Sequence, residues 1–209
     1  MNYKPIIVVS GEPNSIFLEI FFKSLKKHKY NSPIIIIASK KLLQEQMKKL
    51  GFFFKINIID KNFNRFNQLN NKKINLINVE YKFNKCFEKI SIKSNAYIRE
   101  SFNVALKIII KNNFSKLING PISKKHFLKG KSLGITEYLA KKTKKNNSVA
   151  MLIYNKKLSV SPITTHLPLK DVHKNITQKK IYTHIKLITE FYKKNFKKKP
   201  KIAITGLNP

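Results

Sequence analysis

The sequence predicts an α/β fold, a mostly parallel sheet with flanking helices. Short apolar runs of strand length alternate with longer amphipathic segments, in the order strand, turn, helix. There are no tandem repeats and no Gly/Pro/Ser-rich linker, and the 209 residues suit one ordinary domain or two small subdomains.

Ile6 to Ser10 is a buried-strand run that enters the turn Gly11-Glu12-Pro13-Asn14, and helical spacing follows from about Ser15 to Lys29. Ile34 to Ala38 reads as a second strand. Residues 40–50 read as a helix with Gly51 as its C-terminal stop. Phe53 to Asp60 and Ile74 to Val79 are the next strands, separated by an Asn- and Lys-rich loop over 61–73. Ser94 caps a helix to Asn112, with Tyr97, Phe102, Ala105, Leu106 and Ile109 as its apolar stripe. Lys116 to Asn119 is a short strand delivering Gly120-Pro121-Ile122-Ser123-Lys124. A subdomain break is placed near residues 120–136. Thr136 to Lys144 is helical, and Val149–Tyr154 and Leu158–Ile163 are strands around the turn 155–157. A loop spans Thr164 to Val172, and Thr177 caps a long amphipathic helix to about Phe196. Lys201 to Thr205 forms a last strand. That strand runs into a turn where the sequence ends, which predicts that a natural protein continues past Pro209.

An apolar share of 42%, with 15 Phe and 8 Tyr, is enough for a packed core. The net charge of +33 raises a nucleic-acid reading, but Arg65 and Arg99 are the only arginines among 43 basic residues. Base and phosphate readers favour the planar arginine fork, and here lysines are dispersed along the whole chain. The charge therefore reads as a solvated surface that attracts small anionic metabolites, and a basic nucleic-acid-binding module is the distant alternative. Cys86 is the only cysteine, so neither an internal disulfide nor a cysteine-based zinc site forms. No signal peptide or membrane span is legible, and the expected location is cytoplasmic.

Few segments carry chemistry. Gly11 lies between a strand and a helix, where backbone N–H groups meet anions. It is a single glycine without a dinucleotide fingerprint, and a tight turn is the plainer reading. His28, His126, His173 and His184 read as surface or packing residues. His166 differs: it leaves a strand through Thr164-Thr165 and precedes Leu167-Pro168, so its imidazole is held at a fixed place, suited to metal ligation or general-base work. The carboxylates Glu12, Glu137 and Asp171 lie on other loops, and no spacing ties them to His166.

Four blocks in order, Gly120-Pro121-Ile122-Ser123-Lys124, Gly134 to Ala140, Thr164 to Val172 and Gly206-Leu207-Asn208-Pro209, resemble the 4-hydroxythreonine-4-phosphate dehydrogenase family. The opening Gly11-Glu12-Pro13 and Glu19-Ile20 resemble its first loop and helix. The resemblance implies an isocitrate/isopropylmalate-dehydrogenase-like architecture of two subdomains, here C-terminally incomplete. It implies NAD- or NADP-dependent oxidation of 4-phosphohydroxy-L-threonine to a 3-oxo acid. That acid loses CO2 to give 3-amino-2-oxopropyl phosphate, in pyridoxine 5'-phosphate (vitamin B6) biosynthesis. It also implies a divalent metal (Zn, Mg or Co) on three histidines, and a homodimer. By position, His166 matches the first metal histidine and Thr136 a substrate-binding threonine. The second metal histidine would follow Pro209 directly, and the third, with most of the nucleotide-binding region, lies further on. The 209 residues alone are therefore expected to be inactive.

Two departures bear on substrate. Ile135 stands where the family usually has a histidine, and it neither hydrogen-bonds nor carries charge. The first loop has Asn14-Ser15 and Phe17-Leu18 where the family usually has Ala-Gly and a later Gly-Pro. Ile135 keeps open a related activity on four-carbon sugar-acid phosphates, the threonate and erythronate phosphates.

Overall fold

The computed structural model describes residues 3–63, 65–130, 132, 134–144 and 148–206. Leu207, Asn208 and Pro209 of the closing block lie outside them. The chain divides into two compact units, Met1–Gly130 and Lys131–Pro209.

The first unit is a parallel five-stranded sheet. Its strands are β1 (Ile6–Val9), β2 (Ile34–Ala38), β3 (Ile56–Ile58), β4 (Ile74–Asn78) and β5 (Leu117–Asn119), in the order β3-β4-β2-β1-β5. β1 pairs with β2 on one side (Val8 opposite Ile36) and with β5 on the other (Val8 opposite Ile118). The winding direction of the chain therefore reverses at β1, making its C-terminal end the switch point of the sheet. The strands are apolar runs because both sheet faces are covered. Helices α1 (Phe17–Lys27) and α2 (Lys40–Lys49) cover one face, with Phe22, Leu18 and Leu43 in a cluster with Val8, Ile36 and Leu76. Helix α3 (Asn95–Asn112) packs against β1 and β2. Ser39 caps α2, accepting from the Leu42 N–H, and Gly51 follows that helix at φ +69°.

The predicted elements of this unit form, with local differences. The third strand is limited to Ile56–Ile58, since Phe53 is 89% exposed and finds no ladder partner. The buried stripe of α3 is Tyr97, Ile98, Ser101, Phe102, Val104, Ala105 and Ile108, so Leu106 and Ile109 sit at its margin. Ser94 occupies the N-terminal flank of α3 without capping it. Its hydroxyl donates instead to Glu12 Oε2 (2.9 Å) and the Ser91 carbonyl (3.0 Å).

The second unit holds α4 (Ile135–Lys142), the single turn α5 (Leu169–Val172) and the long α6 (Gln178–Phe196). Thr177 caps α6, accepting from the Lys180 N–H. The two strands expected at 149–163 reduce to one antiparallel bridge, Ile153–Val160. A lone two-stranded ribbon is marginal without a third strand. An aromatic cluster ties it down: Tyr154 stacks on Phe196 at 5.1 Å, and Tyr192 donates to Ser159 Oγ at 2.9 Å. The strand expected at 201–205 does not form, and its residues are exposed with no ladder among the described residues. The loop expected at 164–172 ends in α5 rather than staying irregular. No helix among the described residues is long and apolar enough to cross a membrane.

Candidate functional site

The first place to look is the switch point of the sheet, where parallel α/β folds commonly bind ligands. Here it is filled by the chain itself. Gly11 lies at φ +71°, and a Cβ there would meet the Pro121 carbonyl oxygen at 2.4 Å. A Cβ on Gly120 would meet the Ser10 carbonyl oxygen at 2.1 Å. The Glu12 N–H donates to the Pro121 carbonyl at 2.8 Å, locking the β1 turn onto the segment after β5. The Gly11 turn is thus a backbone clasp rather than a cradle for the pyrophosphate of a dinucleotide.

A buried polar cluster backs this clasp. Ser10 Oγ and Tyr97 Oη lie 2.7 Å apart, and Tyr97 Oη accepts from the Ser39 N–H at 3.2 Å. Glu12 is almost fully buried, with Oε2 held by Ser94 and Oε1 without a partner. Burial pushes its carboxyl above the ordinary range, opposed by the Ser94 and Asn14 hydrogen bonds and the nearby His126. Burial likewise raises the Tyr97 phenol.

The second unit holds an open cavity of about 680 Å³, lined among others by Thr136, Glu137, Thr165, His166, Lys180 and His184. Local structure places each group. Gly134 flanks the start of α4, which puts Thr136 and Glu137 in the first helical turn. His166 takes the left-handed region at φ +57°, uncommon for a non-glycine residue, and its side chain is exposed. In α6, His184 is 7% exposed, with Nδ1 3.1 Å from the Lys180 carbonyl. That oxygen can only accept, so Nδ1 is the donor.

The two residues singled out from sequence, His166 and Thr136, line this one cavity. Glu137 joins them, although no sequence spacing tied it to His166. Its Oε1 lies 3.5 Å from Thr165 Oγ1, and its Oε2 is buried without a hydrogen-bond partner. Asp171 does not line the cavity, and Glu12 belongs to the first unit. Lys180, which sequence reasoning did not single out, and His184, read from sequence as a surface or packing residue and found buried, also line the cavity. Their signal was the i,i+4 spacing on the half-buried face of α6. A catalytic metal takes three protein ligands. Among the described residues no three His, Cys, Asp or Glu side chains come together. His166 and Glu137 therefore do not make a metal centre by themselves.

Fold and cavity define a parallel α/β protein with a histidine-bearing pocket in its second unit. The chain belongs to the family described as pyridoxal phosphate biosynthetic protein PdxA, which it matches over residues 29–209. It is 35% identical over 208 residues to a 4-hydroxythreonine-4-phosphate dehydrogenase of Sulfurihydrogenibium sp. (strain YO3AOP1), covering 98% of this chain and 63% of that protein. The corresponding enzyme of Aquifex aeolicus is 29% identical, covering 99% of this chain and 63% of that protein. The chain thus spans about 63% of the length of these curated relatives. A crystal structure of the 4-hydroxythreonine-4-phosphate dehydrogenase from Klebsiella pneumoniae superposes with a TM-score of 0.77. It has 22% identity and covers 91% of this chain and 59% of that one, which bears on the fold alone.

Proposed function

We propose that the protein to which this chain belongs is an NAD- or NADP-dependent 4-hydroxythreonine-4-phosphate dehydrogenase. It would oxidise the secondary alcohol of 4-phosphohydroxy-L-threonine to a 3-oxo acid, which loses CO2 to give 3-amino-2-oxopropyl phosphate. The observation that carries the reading is the family match together with His166 and Thr136 lining one cavity. In this reading Thr136 contacts substrate and His166 contributes one ligand to a divalent metal. A high net positive charge favours a phosphorylated, carboxylated substrate over long range. The architecture is the two-subdomain type of the isocitrate and isopropylmalate dehydrogenases, with the break near residues 120–136. A homodimer suits the exposed apolar side chains of the second unit, among them Ile153, Leu158 and Val160.

The test is NAD+ reduction with 4-phosphohydroxy-L-threonine and a divalent cation. It is run on this chain and on a form extended to the length of the relatives. The extended form reduces NAD+, its His166→Ala variant loses most of the rate, and the 209-residue chain turns over negligibly. An extended form that is silent, or that His166→Ala leaves unchanged, sinks the assignment.

A second reading has its own observation. Ile135 opens α4 beside Thr136 with an apolar side chain, where the family usually carries histidine. A changed contact there suits a four-carbon sugar-acid phosphate. Comparing kcat/KM on threonate and erythronate 4-phosphates with that on 4-phosphohydroxy-L-threonine decides between them.

A further inference from the structure

The Glu137 carboxylate poses a physical problem. A buried polar atom normally has a hydrogen-bond partner, and a carboxylate oxygen left without one is costly. Glu137 Oε2 is buried and has none. Its other oxygen faces Thr165 Oγ1 at a long 3.5 Å. Carboxylate oxygens accept only, so what Oε2 lacks is a donor.

A group able to donate borders the same space. A Cβ on Gly134 would lie 3.0 Å from Glu137 Oε2 and 3.8 Å from His166 Nε2. The absent side chain of Gly134 thus leaves a single space onto which the carboxylate and the imidazole both open. Thr165 and His166 are adjacent in sequence; Thr165 faces the carboxylate, and His166 borders the space at Gly134 onto which Oε2 opens. His166 lies at φ +57°, outside the extended backbone in which consecutive side chains point to opposite sides.

We propose that Glu137 is the positioning residue of His166: its Oε2 accepts the His166 Nε2–H, fixing the ring and its tautomer and leaving Nδ1 as the open lone pair. The proposal deepens the dehydrogenase reading and rests on His166 being its site imidazole. A histidine that ligates or accepts a proton through one nitrogen is commonly oriented by a carboxylate on the other. The exposed His166 ring is free to turn toward Oε2, and Thr165 Oγ1 lies 3.5 Å from the far oxygen. Gly134 then has a defined role, since any side chain there would occupy the space between the two groups.

The test reads the ring proton directly, without substrate. In protein carrying 15N-labelled histidine, His166 is assigned by the signal lost in His166→Gln. The wild type is expected to show a downfield Nε2–H resonance for His166, protected from exchange with water. Glu137→Asp, which withdraws the carboxylate by one methylene, loses that resonance. Glu137→Gln, whose amide oxygen still accepts, retains it. In the extended form Glu137→Asp lowers kcat about 10- to 100-fold, the usual cost of losing an outer partner. KM changes little, and Glu137→Gln recovers much of the rate. A wild type without a protected His166 ring proton overturns the proposal whether or not any variant folds. So does a Glu137→Asp protein whose resonance matches the wild type. Either outcome leaves NAD+ reduction by the extended form untouched, so the two readings fail separately.

Discussion

The two units are built to different standards of packing. In the first, Ile7, Phe22, Ile35, Ile36, Ile37, Leu43, Leu76, Ile98 and Phe102 are all sealed from solvent. In the second, the buried residues among those described are Gly134, Ala140 and His184. The difference follows from architecture. A parallel sheet between two helical layers buries both faces of every strand, so apolar runs disappear inside. The second unit has two substantial helices and one bridged ribbon, with Leu158 at 74% and Ile153 at 58% exposure. Buried apolar packing is concentrated in one unit. Both residues expected to do chemistry, His166 and Thr136, are exposed in the other.

The largest way to break that contrast is in the first core. Phe22 is fully buried against Phe52 and Phe54, with ring centroids 5.4 and 6.1 Å away. Phe22→Ala should cost about 3–5 kcal/mol, read from the urea midpoint of the first unit. Next comes the clasp. Gly120→Ala pushes a methyl into the Ser10 carbonyl, where backbone must move, at a cost of about 1–3 kcal/mol in the same measurement. Phe196→Ala, in the second unit, removes a ring that is already 37% exposed and should cost only about 1–2 kcal/mol. If Phe196→Ala proves as damaging as Phe22→Ala, the second unit has a real core and the contrast falls.

The subtlest prediction sharpens the contrast through pH. Burial raises the Glu12 carboxyl in the folded chain, so folding favours its neutral form. The stability from this group is fully present below the ordinary carboxyl value of 4.5 and is lost as pH rises through the raised folded value. Glu12→Gln keeps an acceptor for Ser94 and cannot ionise. Thermal midpoints of the two proteins should diverge from about pH 4.5 upward, the variant gaining relative to wild type. Parallel curves would show that Glu12 is not coupled to folding.

Much was legible in the sequence because the signals were local. Apolar runs marked β1, β2 and β4, Thr177 capped the last helix where a capping residue stands before helical spacing, and Gly51 stopped α2. Thr164 to Pro168 singled out His166, the family resemblance added Thr136, and both line one cavity. The segments 149–163 and 201–205 have strand composition, but a strand is a pairing, and local propensity does not supply a partner. Ser94 has the residue type of a helix cap, yet a buried Glu12 claims its hydroxyl from 82 positions away.

What the sequence determined by itself was therefore the alternation of elements and the family, and it singled out His166 and Thr136 as candidates, because each is written in contiguous residues. Only the tertiary structure showed which backbone the Gly11 turn clasps, that of Gly120 and Pro121, and that Glu137 opens onto the same space as His166. Both depend on close approach between segments far apart in the chain. At Gly120 and Gly134 the approach is set by a side chain that is absent, and composition alone does not say what moves into that space.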